Sequence, residues 1–349
     1  MRTKVGICIL GAVACLIFLY QWLSPSPELD PSLQSLSQTA ILRTQKVIVP
    51  GYPKAFNPSL IAYGEGYLLS FRVRHKVSPK QKPLLSRSKD ISFVGVVKLD
   101  KSFKAVAQSA QLLEITSYSS QLSATAEDAR LLNIGGRIYI FFNDLPLSET
   151  QGHYALYYGE LIEKEGTFVL KEQAKPLNYA QAVPIEKNWS PFTADGKLYL
   201  IYSDAPRVIL EVDRETGNCS EVARTPSQWR WQWGEIRGGT PALLLADGYF
   251  LTFFHSSIPV DPFNKKKGRI YVMGAYTFEK NLPFSPLAVT PSPVGQPQDY
   301  TKENQHKVVF PGGLVIENDF IYVAWGKNNK QVCLTVFDKK KLLDSMEPF

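Results

Sequence analysis

The sequence predicts an all-β fold, a five-bladed β-propeller with an N-terminal transmembrane helix. Two observations carry the propeller. From about residue 45 the chain consists of short runs rich in Tyr, Phe, Ile, Val and Leu, separated by Gly, Asn, Asp and Pro turns, with almost no helical period. Within those runs one strand–turn–strand unit returns five times, at spacings of about 50 to 70 residues, which suits a four-stranded blade plus its loops. A third observation, the apolar run Val5 to Leu23, carries the helix.

The first unit is Asn57-Pro58-Ser59-Leu60-Ile61, a turn at Gly64 to Gly66, and Tyr67 to Arg72. The second opens on Glu127-Asp128-Ala129-Arg130, turns at Gly135-Gly136 and ends at Asn143-Asp144. Ser190-Pro191-Phe192, Asp195-Gly196 and Leu198 to Asp204 form the third. The fourth runs from Thr240-Pro241 through Asp247-Gly248 to His255, and the fifth from Phe310-Pro311-Gly312-Gly313 through Asn318-Asp319 to Trp325. A β-sandwich is the rival architecture, but sandwiches rarely repeat one signature five times.

The Val5–Leu23 run is long enough to span a bilayer, with Tyr20 and Trp22 at its far end. Arg2 and Lys4 precede it and the next basic residue is Arg43, so the positive-inside rule places the N-terminus in the cytoplasm and the body on the extracytoplasmic side. A cleaved signal peptide, or lipidation at Cys15, is the competing reading of the same residues. The expected organisation is therefore a tail and anchor over 1–23, a Ser/Pro-rich stalk over 24–44, and the propeller over 45–349.

The net charge of +7 is concentrated in runs such as Lys265-Lys266-Lys267 with no nucleic-acid module beside them, so no nucleic-acid partner is expected. The four histidines are scattered and the cysteines are not clustered, so neither a metal nor an organic cofactor is expected. Only Cys219 and Cys333 lie outside the apolar run, which allows at most one disulfide.

In a propeller the innermost strand of each blade starts near the axis, so the polar heads of the repeats converge. Here they are Asn57, then Glu127, Asp128 and Arg130, then Lys187 and Asn188, then Arg237 to Thr240, with Arg72, Arg74, Asp144, Asp204 and His255 at the strand tails. Carboxylates, amides and cations among aromatic walls suit a sugar, and glycosidic cleavage needs a carboxylic acid to protonate the leaving oxygen. A buried ion pair of Asp128 with Arg130, pinning the second blade, is the lesser reading of the same residues. Gly238-Gly239 reads as a tight turn near the axis, and the alternating Trp229, Trp231 and Trp233 read as a strand, either a sugar platform or packing between blades.

Taken in order, Asn57-Pro58-Ser59, Phe71-Arg72, Glu127-Asp128-Ala129-Arg130, Glu186-Lys187-Asn188-Trp189, Gly238-Gly239-Thr240-Pro241, Phe254-His255 and Val309-Phe310-Pro311-Gly312-Gly313 resemble glycoside hydrolase family 130 over about residues 50 to 335. That family comprises five-bladed propellers acting on β-mannosides by phosphorolysis or hydrolysis. The resemblance implies that Asp128 is the single general acid, acting through a sugar hydroxyl with inversion. It also implies that Arg72, Lys187 and His255 gather inorganic phosphate as a co-substrate. Ala129 stands where the family usually has Pro, and no further phosphate-binding Arg is placed between Asp128 and Lys187, so hydrolysis and phosphorolysis both stay open. A glycan-binding propeller without turnover, or a mannosyltransferase-like enzyme using the same pocket, are the alternatives.

Overall fold

The computed structural model describes residues 39–76, 90–115, 126–144, 155–183, 186–226, 230–259, 268–295 and 308–349. They form five antiparallel sheets, each beginning at one of the predicted repeat heads. The inner two strands of the successive blades are Phe56–Tyr63 with Gly66–Lys76, Glu127–Ile134 with Arg137–Asp144, Ser190–Ala194 with Lys197–Asp204, Leu243–Leu244 with Tyr249–Pro259, and Val309–Glu317 with Phe320–Lys327. In four of the five blades these strands are joined by two residues only. Gly135-Gly136 and Asp195-Gly196 have positive φ at both positions, the geometry that matches the right-handed twist of a tight hairpin.

Alternation along the strands buries both sheet faces, so the blades pack face to face. One apolar cluster joins the fifth and first blades through Leu69, Phe71, Val315 and Leu334, and another joins the first and second through Leu68, Val96, Leu131 and Ile140. Phe141, Tyr158, Trp189 and Leu200 fill the space between the second and third, and Phe192, Phe250, Phe254 and Trp325 belong to the cluster linking the remaining blades.

Both chain ends are used as clamps. Ile41–Val47 pairs antiparallel with Gln331–Asp338 and completes the fifth blade. The propeller therefore begins near residue 40, ahead of the expected boundary at 45, because residues 41–44 already belong to the sheet. After a short helix at Lys339–Asp344, capped by the Asp338 carboxylate on the Lys341 amide, Glu347–Pro348 adds an edge strand to the fourth blade.

The proposed anchor at residues 5–23 and the stalk to residue 38 lie outside the described residues. Among those described, no helix is long and apolar enough to cross a membrane. One further expectation changes. Trp231 and Trp233 are not on a strand; both are buried, and their indole N–H groups donate to the main-chain carbonyls of Thr290 and Pro291, so they brace the fourth blade instead of offering a platform. Trp229 is outside the described residues. Cys219 and Cys333 are unbridged.

Candidate active site

All five blades meet around Asp128 and Arg130. Asn57 of the first blade donates to Asp128 Oδ1 at 2.8 Å. Arg130 of the second blade donates to Asn188 Oδ1 of the third at 3.1 Å and to the Gly239 carbonyl of the fourth at 2.9 Å, and its guanidinium lies 5.3 Å from the centre of the Phe310 ring of the fifth. Residues hundreds of positions apart thus share one polar cluster at the axis.

The local backbone is bent to bring them there. Asn57, Asp128 and Asn188 occupy equivalent heads of three blades and all have left-handed φ, at 45°, 49° and 66°. Asn and Asp tolerate this region better than other non-glycine residues, at a cost of order 1–3 kcal/mol per residue. In the first and second blades the bend coincides with a register shift, between Phe56 and Ser59 and between Glu127 and Arg130, which is how bulges re-aim side chains beside functional sites. Gly238 and Gly239 do not make the expected tight turn, since neither has positive φ. Gly238 is required for close approach instead: a Cβ there would come within 1.9 Å of the Asn188 carbonyl oxygen.

The electrostatics divide the two acids. Arg72 donates to Glu127 Oε1 at 2.6 Å and Lys187 donates to Glu127 Oε2 at 2.9 Å, so each oxygen of Glu127 is held by a cation. Asp128 receives Arg72 at 3.0 Å and Asn57, both on Oδ1, while no hydrogen bond among the described residues involves Oδ2. Arg130 binds the main-chain carbonyl of Asp128, at 2.6 Å, not its carboxylate. The expected ion pair between Asp128 and Arg130 is therefore not formed; the Asp128 carboxylate pairs with Arg72 of the first blade instead.

Burial by itself would push the Asp128 pKa up. The Arg72 charge, the Asn57 amide and Arg130 together outweigh it and hold the carboxyl down at about 2. Burial lowers Arg130 to about 10, with Asp128 opposing, so it remains a cation at neutral pH. Both acid side chains keep 12% of their surface open to solvent and Lys187 keeps 32%, which leaves the cluster accessible from one side.

His255 joins the cluster from the fourth blade. Its Nδ1 lies 2.9 Å from the Gly238 carbonyl oxygen, which can only accept, so Nδ1 carries the proton and Nε2 is the acceptor. Phe310 packs against the ring at 4.9 Å. Burial is the main reason its pKa falls to about 3; the Gly238 bond opposes this, while Arg130 and Arg237 reinforce it. The His255 ring is accordingly expected to show no protonation midpoint between about pH 5 and 8. Histidine ring NMR checks this, and a midpoint near the ordinary value would show a ring open to water. Arg237 sits beside it, exchanging main-chain hydrogen bonds with His255 and pairing with Glu235 at the exposed rim.

Asp204 does not join the site. It is buried between the third and fourth blades, accepting from Arg207 at 3.2 Å and from the Tyr276 hydroxyl at 2.7 Å, on strands away from the axis. Burial raises its pKa despite these partners. Sequence reasoning also missed Ser92, whose hydroxyl receives Arg72 Nε and fixes the guanidinium's orientation. Ser92 lies on a third strand, outside the repeated unit, so the repeat offered no signal for it.

No family model matches this chain, and no curated protein matches it in sequence. Solved structures do match in fold. A β-1,2-mannobiose phosphorylase from Listeria innocua superposes with a TM-score of 0.59 at 17% identity, covering 86% of this chain and 92% of its own. A family 130 structure described with glycoside hydrolases that target β-1,2 mannosidic linkages in Candida mannan gives 0.58 at 15% identity over 85% of this chain and 91% of its own. This chain thus has the fold of the family 130 propellers. MPT-4, a mannose phosphorylase from Leishmania mexicana in complex with phosphate, gives 0.58 at 12% identity over 88% and 92%.

Proposed function

We propose that the chain is a carbohydrate-active enzyme that cleaves or forms β-mannoside-type bonds with inversion, with Asp128 as the general acid. The observation that carries this reading is the asymmetry of the two acids. Glu127 has both oxygens held by cations, whereas Asp128 keeps Oδ2 without a hydrogen bond among the described residues, at a partly open point where five blades converge. One available carboxyl suits a displacement in which the second reactant comes from solution. The fold shared with mannoside-active propellers supports the sugar class.

An acid must first hold a proton, and Asp128 is ionised at neutral pH. The residue that keeps it so is Arg72, which also faces Glu127. A phosphate docking beside Arg72 and Lys187 would compete for the guanidinium and release the carboxyl toward its ordinary range. Water at the same place would leave that hold intact, so phosphorolysis favours the proton transfer more than hydrolysis does. Neutral His255 offers an acceptor at Nε2, suited to a sugar or water hydroxyl.

Anchorage through residues 5–23, with the propeller on the extracytoplasmic side, is proposed on the apolar run and the flanking Arg2 and Lys4. The functional test is a panel of manno-oligosaccharides assayed with and without inorganic phosphate. Mannose 1-phosphate formed only with phosphate is the expected product, and free mannose regardless of phosphate would identify hydrolysis. Chain extension from an activated sugar donor would instead indicate transfer. Glycan binding with no turnover under any condition would sink the enzyme reading.

A further inference from the structure

Asn143 carries the next inference, which rests on the mannoside reading. It lies at the end of the second strand of the second blade and is 1% exposed, yet among the described residues neither its amide nitrogen nor its amide oxygen has a hydrogen-bond partner. A buried amide with both ends unmet is costly and uncommon in a native protein. Its place in the sheet says what it faces. Asn143 is directly opposite Glu127 in register, and residues so paired point their side chains to the same face. Phe141, two residues earlier on the same strand, belongs to the apolar cluster between the second and third blades, so Asn143 stands at the axial end of that interface. There Lys187 crosses from the third blade to Glu127, and Arg130 reaches Asn188.

We propose that Asn143 is a substrate-contacting residue, its amide binding a pair of neighbouring hydroxyls of the mannoside between the second and third blades. An amide offers two donors and an acceptor side by side, and two adjacent hydroxyls can each donate and accept. Glu127, fixed by Arg72 and Lys187, supplies a further acceptor next to it. The unmet amide is then a pre-formed half of the complex, left incomplete until the sugar arrives.

The test compares wild type with Asn143→Leu and Asn143→Ala. Binding of the best manno-oligosaccharide from the panel is measured by calorimetry, turnover is followed in parallel, and melting is recorded without ligand. The expected result is a rise of about tenfold or more in Kd and KM in both variants. The kcat should stay within a few-fold, and the melting temperature should be unchanged or higher in the leucine variant, which removes the unmet polar atoms. Should the leucine variant fail to fold, the alanine variant carries the binding measurement alone. Wild type that binds while a folded variant binds equally well overturns the role of Asn143 and leaves the mannoside reading standing. A lower melting temperature with unchanged Kd marks Asn143 as structural and overturns it too. Wild type that neither binds nor turns over any manno-oligosaccharide overturns the mannoside reading, and this inference with it.

Discussion

Asp128→Asn is expected to lower turnover of a manno-oligosaccharide by roughly 10²–10⁴-fold, the range general acid catalysis supplies, while binding changes little. The amide keeps the shape of the carboxyl and can still accept from Asn57, and Glu127 remains to hold Arg72. What is lost is the one oxygen able to deliver a proton. The same substitution has a stability signature whose sign follows from linkage. The Asp128 pKa is lowered on folding, so its contribution is present above the ordinary value of 3.8 and is lost as pH falls from there through about 2. Wild type should therefore weaken over that acid window, and the asparagine variant should show a shallower slope in the same window. Kinetics on the oligosaccharide panel, with urea unfolding at several pH values, would check both. Retained turnover in the variant would sink the acid assignment, whereas an unchanged acid slope would sink the account of how Arg72 holds the carboxyl.

The features legible in the sequence were those written locally and repeatedly. Asp195-Gly196 and Gly135-Gly136 announce a two-residue turn because few other residues accept positive φ, and the strands beside them follow from composition. The repeat heads followed from the repeat, since equivalent positions in a closed ring must converge. Contacts between blades were not legible. Asp204 sits at a strand tail like His255, yet Arg207 and Tyr276 hold it away from the axis, a partnership 72 residues long for the tyrosine. Trp231 and Trp233 alternate like strand residues, but their N–H groups are spent on carbonyls 59 and 58 residues away. Gly238 read as a turn because sequence cannot distinguish a glycine chosen for its φ from one chosen because another backbone passes beside it. Ser92 and Asn143 are ordinary strand residues until the register shows what they face.

Arg130→Met is the substitution with the largest expected cost in stability, about 3–5 kcal/mol, in keeping with the loss of one partner from a buried ionic network. Methionine can occupy much of the stem's volume, so the loss comes chiefly from hydrogen bonds. The Asp128 and Gly239 carbonyls and the Asn188 amide oxygen would all lose their donor at once, in a place where water enters poorly because Arg130 is 2% exposed. Each buried acceptor left unmet costs about 1–3 kcal/mol, part of which relaxation recovers. Against a typical total of about 5–15 kcal/mol this is a large share. Because the three acceptors belong to the second, fourth and third blades, the loss should also loosen the ring at its axis and not one blade alone. The midpoint of urea unfolding should fall clearly, and protection of the neighbouring hydrogen-bonded Leu131 and Thr240 amides from hydrogen exchange should fall with it. Arg130→Lys separates charge from geometry: a single ammonium cannot reach three acceptors arranged around a planar guanidinium, so it should recover only a minor part of the loss. A lysine variant as stable as wild type would mean that charge near Asp128, and not the bracing of three blades, is what Arg130 contributes.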